Sequence, residues 1–432
     1  MTRKTKATGG LVPTRPPSKI SELSGYLAAF TNYEQQQAPS KGQKRLGPER
    51  AAHLLAKLGL TPVDVPVIQV AGSKGKGSTV LWMEALLLVR GKRPGAYMSP
   101  HLERINERIR IGGEEVSDAD ILKALRVIHE SVVEIEQSDP SLVPTFFDLW
   151  TCVAVYLFRQ AKITHMLLEV GLGGPQDSTS AVPHQIGVLT SIDLEHRREL
   201  GDTLDEIARE KARIARSQRP FIIAEFRESW GQTAARQARE QGAEILAAPI
   251  DHRVPSRLEA PQDRNLAVAL ASLEALPKFE PFTESETMAA IEAVQLTGRL
   301  ESLVGPPPLL LDAAHTRRSM EYFQRRFVSW RGARPGAVLI GLLEGKEWRA
   351  CLEVFAQDGN TIDWIVTTPE PKRRLDPAPL VAYLKTLGGQ VFLEEDVTKA
   401  AQQLRELARR GAAIGVTGSF YLAGKVRELW MK

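Results

Sequence analysis

Apolar runs bounded by glycines and polar clusters recur along the chain, and their alternation with longer amphipathic segments predicts repeated strand–helix units. Val67 to Ala71 reads as a buried parallel strand, because apolar residues at nearly every position suit a sheet covered on both faces. Gly72, Gly75 and Gly77 interrupt it, and Val80 to Val89 continues as an apolar helix. Helices are also expected over Ser21–Tyr33, Gly47–Leu58, Ser117–Glu134, Thr145–Gln160, Thr203–Ala215 and Gln262–Leu276. Strands are expected over Pro94–Pro100, His165–Val170, Ile186–Ile192 and Phe221–Ala224, and Arg104–Ile109 interleaves polar and apolar residues at a period of two. Past Pro306-Pro307-Pro308, which marks a domain junction, strands at 309–311, 337–341, 364–367, 390–393 and 413–417 alternate with helices. The pattern predicts an α/β chain: an N-terminal, doubly wound parallel-sheet domain of the P-loop type over 21–296, and a smaller Rossmann-like domain over 297–432.

Composition changes this picture little. Hydrophobic residues at 43% and charged residues at 25% are ordinary for a globular protein. The net charge of +4 is concentrated: Arg3, Lys4, Lys6, Arg15 and Lys19 face no acid within residues 1–20, which leaves the remainder at about −1. Nucleic acid is therefore not an expected partner, and residues 1–20 read as a disordered basic tail whose prolines and glycines oppose a transit-peptide helix. Cys152 and Cys351 lie far apart among apolar neighbours and read as buried thiols of a reducing, cytoplasmic setting. No apolar run is long enough to span a membrane. The second domain lacks a G-x-G-x-x-G fingerprint, so NAD is not expected.

The candidate chemistry centres on Gly72-Ser73-Lys74-Gly75-Lys76-Gly77-Ser78-Thr79. Glycines before a helix let backbone N–H groups converge, and the helix start adds partial positive charge, so the loop suits phosphates. Lys76 can neutralise a phosphate, and Ser78 or Thr79 can offer a hydroxyl to Mg2+. The spacing departs from the usual phosphate-loop pattern, since Val70 stands where its first glycine would be. Glu169 is an acid at the end of an apolar strand facing Gly171-Leu172-Gly173-Gly174, and a buried carboxylate needs a partner or a metal.

Taken together, Val-Ala-Gly-Ser-Lys-Gly-Lys-Gly-Ser-Thr (70–79), Ser-Pro-His-Leu (99–102), Asn-Glu-Arg-Ile (106–109), Leu-Glu-Val-Gly-Leu-Gly-Gly (168–174), Glu-Lys-Ala (210–212), Gly-Arg-Leu-Glu (298–301), Leu-Asp-Ala-Ala-His (311–315) and Val-Thr-Gly-Ser (416–419) resemble the folylpolyglutamate synthase/dihydrofolate synthase family of the Mur-ligase superfamily. The resemblance implies ATP-dependent amide formation: ATP phosphorylates a carboxylate, and the amine of glutamate displaces phosphate from the acyl phosphate. Positioning and charge neutralisation must then supply most of the catalysis. It implies that Lys76 holds the β/γ-phosphates and that Ser78, Ser99 and Glu169 bind a first Mg2+. His196 would help hold a second, and Lys211 would be carbamylated into a metal ligand. Asn265 would meet the adenine, while Arg299, Asp312 and His315 would serve the phosphates from across the domain cleft. The expected partners are ATP, glutamate and a pterin or folate carboxylate, acting on a monomer.

Plainer roles stand beside these. Lys211 would otherwise be an ordinary helix lysine, His196 a solvated loop histidine, and Arg299 a bridge between acids at the junction. His101 would position its loop, and Asn106 to Arg108 would stabilise a turn.

The chain also departs from the family pattern. Ser73-Lys74 replace Thr-Asn, Pro175 and Ser180 replace an arginine and an asparagine, Glu195 replaces the aspartate before His196, and Thr316 follows His315. Lys74, Asp177 and Thr179 are accordingly placed on the substrate side, with Lys74 supplying the cation that Pro175 removed. Two alternatives follow: a ligase with a non-folate acceptor, and a catalytically silent ATP-binding homologue.

Overall fold

The computed structural model describes residues 12–34, 47–248, 251–256, 258–305, 307–356, 361–370 and 373–431. It divides into two compact units: residues 1–99 with 106–294, and residues 100–105 with 295–432. The division therefore falls between Val294 and Gln295, and the triproline is no junction, because Pro307 and Pro308 lie inside the second unit while Pro306 is outside the described residues. Pro100 to Ile105, expected in the first domain, belongs to the second unit, where Arg427 bridges Glu103 and Glu301 at 2.7 and 3.0 Å.

In the first unit, β1 (Val67–Ala71), β2 (Pro94–Tyr97), β3 (Ile109–Ile111), β4 (Glu114–Glu115), β5 (His165–Glu169), β6 (Ile186–Leu189), β7 (Pro220–Ile223) and β8 (Glu244–Ala247) form one sheet. Its order is β4-β3-β2-β5-β1-β6-β7-β8, and only β3 runs against the other strands, pairing antiparallel with both β2 and β4. Every residue of β1, β5 and β6 is buried, as expected of central strands covered by helices on both faces. The register sets Val70 beside Glu169 and Ala71 beside Leu189, so three neighbouring strands release their loops at one edge, where open α/β sheets bind ligands.

The second unit repeats the principle with β9 (Glu301–Leu303), β10 (Leu309–Leu311), β11 (Gly336–Ile340), β12 (Ile362–Val366), β13 (Val391–Leu393) and β14 (Ala413–Thr417), ordered β13-β12-β11-β14-β10-β9. Alternate residues supply opposite faces. Leu310, Val338, Ile340, Trp364 and Val366 pack with Phe323, Phe327 and Phe355, whereas Leu309, Leu311, Ala337, Leu339 and Ile365 pack with Ala400, Leu404, Leu422 and Val426.

The interleaved stretch Arg104–Ile109 contains the 3-10 turn Ile105–Arg108, in which Asn106 Nδ2 donates to Val116 O and Asp118 Oδ1, both at 2.9 Å, and Arg108 forms a two-pronged bond to Glu34 at 2.9 and 2.6 Å. Two expectations need correction. Ser21–Tyr33 holds only a short 3-10 turn, Ile20–Glu22, and the helix Leu23–Leu27. Of the tail expected to be disordered, residues 1–11 lie outside the described residues; beyond them the chain is held down, with Val12 buried and its amide donating to Glu136 Oε1 at 3.0 Å. Both cysteines are buried and free. Among the described residues no helix is long and apolar enough to cross a membrane.

His184, buried just before β6, accepts from Arg216 Nε at 3.2 Å through Nδ1, a bond open only to the neutral ring. Burial, aided by the Arg216 charge, holds its pKa down at about 3, below the ordinary 6.5. The unfolded chain therefore takes the proton first as the pH falls, and folding stability drains away between pH 6.5 and about 3. Denaturant unfolding should show this site contributing a loss of roughly 1.4 kcal/mol per pH unit below 6.5, a slope that His184→Gln removes.

Candidate active site

The helix Lys76–Val89 begins directly after the glycine turn, with Gly75 as its N-cap at φ 87°. Two neighbours keep the turn tight. A Cβ on Gly72 would lie 1.9 Å from Thr190 Oγ1, and one on Gly75 would lie 2.5 Å from Asn265 Oδ1. Thr190 Oγ1 donates to Lys74 O at 2.7 Å, the amides of Ser73 and Lys74 both donate to Ser191 O, and Ser73 Oγ donates to Asp193 O. The loop after β1 is thus laced to the loop after β6.

Lys76, Gly77 and Ser78 open that helix with backbone N–H groups that have no intrahelical acceptor, whereas the Thr79 amide donates to Gly75 O at 2.8 Å. The Lys76 ammonium lies 3.7 Å from Glu169 Oε1. Glu169 Oε2 accepts from the Ser99 amide at 3.0 Å, which brings the loop after β2 to the same place. Lys76, Glu169 and Ser99 therefore converge as the strand ends predict. Thr79 Oγ1 is buried without a hydrogen-bond partner, a vacancy that a ligand oxygen or a cation would fill.

Lys211, in the helix Leu204–Ala212, is buried. Burial first, then the Lys76 charge, pulls its pKa down to about 7 against the opposing pull of Glu195, Asp177 and Glu210. Its amine is therefore uncharged in a large fraction of molecules at neutral pH, which is not the behaviour of an exposed helix lysine. His196, exposed and in the left-handed region at φ 54°, N-caps the short helix Arg197–Leu200.

The residues assigned to the substrate side are placed differently. Lys74 pairs with buried Glu195 at 2.8 Å. Asp177 turns inward: its Oδ2 accepts from the amides of Gly171 and Leu172, and its Oδ1 from the amide and hydroxyl of Thr179. Burial raises its pKa to about 6 in spite of those bonds. Thr179 is fully buried and accepts from Gln69 Nε2 at 2.8 Å. Both staple the glycine turn after β5. Asn265 is buried beside Gly75 and bonds Gln262, next to the phosphate loop.

Arg299, Asp312 and His315 belong to the second unit and gather there. Asp312 Oδ2 accepts from the Leu300 amide at 2.7 Å, His315 Nδ1 lies 2.8 Å from Ala313 O, and Phe420 lies 5.9 Å from the Arg299 guanidinium and 6.1 Å from the His315 ring. Phe420 and Glu195 carried no signal of their own in the sequence beyond adjacency to the motifs at 416–419 and at His196.

Among the described residues no group of three or more His, Cys, Asp and Glu side chains is placed to hold a metal. The donors at this site are instead hydroxyls, one carboxylate and one imidazole, a mostly hard set that suits Mg2+ or Mn2+ shared with nucleotide phosphates.

Comparison with known proteins agrees with this arrangement. Residues 298–420 match the Mur ligase, glutamate ligase domain. The chain is 30% identical to the dihydrofolate synthase/folylpolyglutamate synthase of Escherichia coli, over 97% of this chain and 98% of that one. It belongs to the folylpolyglutamate synthase/dihydrofolate synthase family, a family of ATP-dependent ligases. Among solved structures, the Mycobacterium tuberculosis folylpolyglutamate synthase complexed with ADP and AMPPCP superposes with a TM-score of 0.80 at 25% identity, covering 90% of this chain and 96% of that one. The bifunctional synthase of Yersinia pestis, complexed with AMPPNP and Mn ion, gives 0.76 at 27% identity and covers each chain completely (100%). The fold class and family expected from the motifs are those found.

Gly174 packs its backbone against the helix that carries Lys211: a Cβ there would lie 2.3 Å from Glu210 O and 3.3 Å from Lys211 Cα. Gly174→Ala must push that helix away, and equilibrium unfolding should register a loss of about 1–3 kcal/mol.

Proposed function

We propose that this chain joins L-glutamate to the carboxylate of dihydropteroate, of a folyl(poly)glutamate or of both, through an acyl phosphate formed at the expense of ATP. The observation that carries this reading is the Lys76–Glu169 pair at the mouth of the glycine loop, with the buried Lys211 amine in the same electrostatic neighbourhood. The helix start and Lys76 would hold the nucleotide's phosphates, in a loop formed by Gly72, Gly75 and Gly77. Ser78, Ser99, Glu169 and His196 would hold Mg2+, which when bound neutralises phosphate charge. Asn265 stands beside Gly75 for the nucleotide, and Arg299, Asp312 and His315 would also take part in binding it.

Carbamylation of Lys211 follows from the same electrostatics. As an ammonium it is buried and repelled by Lys76. A carbamate, formed when the neutral amine adds to CO2 and gives up a proton, would instead face Lys76 as an anion. The two buried thiols, neither in a disulfide, support a reducing, cytoplasmic location, and the near-neutral charge outside residues 1–20 supports small molecules rather than nucleic acid as partners. The chain would act as a monomer, away from membranes.

The test is an assay of phosphate release with ATP, Mg2+ and L-glutamate, offering dihydropteroate, tetrahydrofolate or no acceptor, with mass spectrometry of the product. Release that depends on both glutamate and a pterin carboxylate is expected, and Lys76→Ala should lower kcat by roughly 100-fold, about 3 kcal/mol of transition-state stabilisation. Release with glutamate and neither pterin acid would point to a non-folate acceptor, and no release with any acid to a silent nucleotide-binding protein.

A further inference from the structure

The stretch after β6 carries a built-in problem of support. Glu195 donates its amide to Asp193 O, two residues back, at 2.8 Å, and His196 follows at φ 54°. Such conformations persist only where the surroundings over-determine them, and they concentrate at functional sites. Yet between Ile192 and Leu200 Glu195 alone is buried, while Leu194, His196, Arg197 and Arg198 are exposed. The loop that presents His196 therefore buries the Glu195 side chain.

That side chain ends on Lys74. The Glu195 side chain is 8% exposed and that of Lys74 22%, and their charged ends meet at 2.8 Å across 121 positions of sequence. Lys74 is itself fixed at both ends of its backbone, by Ser191 O and Thr190 Oγ1. The pair thus extends the lacing between the two loops up to the residue next to His196. A charge pair so far out of water stabilises little when intact and costs heavily when one partner is removed, so its value lies in fixing geometry. Lys74 and Glu195 are moreover both points at which the chain departs from the family pattern, and the structure joins them.

We propose that Lys74 and Glu195 act as one positioning unit, holding the His196 loop in register with the phosphate loop, so that Mg2+–nucleotide binding depends on the pair and on neither residue alone. This deepens the reading above and rests on it. Neither residue is assigned a contact with substrate.

The experiment compares the full chain with Lys74→Gln, Glu195→Gln, the double variant, Lys74→Arg and Glu195→Asp. Calorimetry measures Kd for Mg2+–AMPPNP, and electron paramagnetic resonance measures Mn2+ retained with AMPPNP. Kinetics separate KM for ATP from kcat, and melting confirms folding. Each single Gln change should raise Kd and the Mn2+ concentration for half-saturation by about 10-fold, raising KM for ATP in parallel. The double variant should be no worse than the weaker-binding single one, and Lys74→Arg, which keeps the charge, should recover affinity to within about threefold. Losses that multiply in the double variant would overturn the proposal, as would lowered melting temperatures with unchanged Kd, or a folded Lys74→Arg as impaired as Lys74→Gln. Failure of the unaltered protein to bind Mg2+–AMPPNP would instead remove the underlying reading of the site, and this proposal with it.

Discussion

An ammonium and a carboxylate, Lys76 and Glu169, meet 3.7 Å apart where two adjacent parallel strands end, and both side chains are largely out of water. Charges in that position are tolerable only when each is held to its partner and its remaining hydrogen-bond capacity is used. Much of the first unit serves that condition. The Ser99 amide takes the second Glu169 oxygen, the Asp177 carboxylate ties the turn after β5 to itself, and Thr190 and Ser191 take up the turn after β1. Sheet order places these loops side by side, since β2, β5, β1 and β6 are consecutive neighbours. Remove the parallel register and no local interaction would bring Ser99, Lys76 and Glu169 together.

Much of this was legible in the sequence because a parallel strand announces both itself and its end. Apolar residues at nearly every position identify β1, β5 and β6, and the first polar or glycine residue after each marks the edge at which ligands bind. What escaped was amphipathic or peripheral. The helices Ser229–Glu240 and Glu284–Ala293 mix polar and apolar positions, and the edge strands β8 and β9 are only four and three residues long, too short for a pattern to show. Side-chain direction in loops was equally hidden. Whether Asp177 faces a substrate or its own backbone depends on which amides the turn offers, and whether Lys74 faces a ligand depends on Glu195, far away in sequence.

The departures from the family pattern are better understood as changes in how the loops are held than as lost ligands. Ser180 Oγ donates to Gly174 O at 3.3 Å and accepts from Gln69 Nε2 at 3.0 Å, while Ser178 donates to Asp148. With Asp177 and Thr179 also turned inward, consecutive polar side chains of the segment 177–180 are engaged in holding that turn together.

The second unit shows the same logic with a different device. Leu300 lies in the left-handed region at φ 49°, a costly conformation for a branched residue, and it directly follows Arg299. The Asp312 carboxylate holds that backbone through the Leu300 amide, and Ala313 donates to Gly298 O, so the Gly298–Leu300 turn is pinned from both sides. The carboxylate is thereby engaged in shaping the turn that carries Arg299. Phe420 lies near both the Arg299 guanidinium and the His315 ring, and an aromatic face there limits the directions each can take. A cation and an imidazole held by strain and by a ring would be pre-organised for an anion, so ordering them costs less when one arrives.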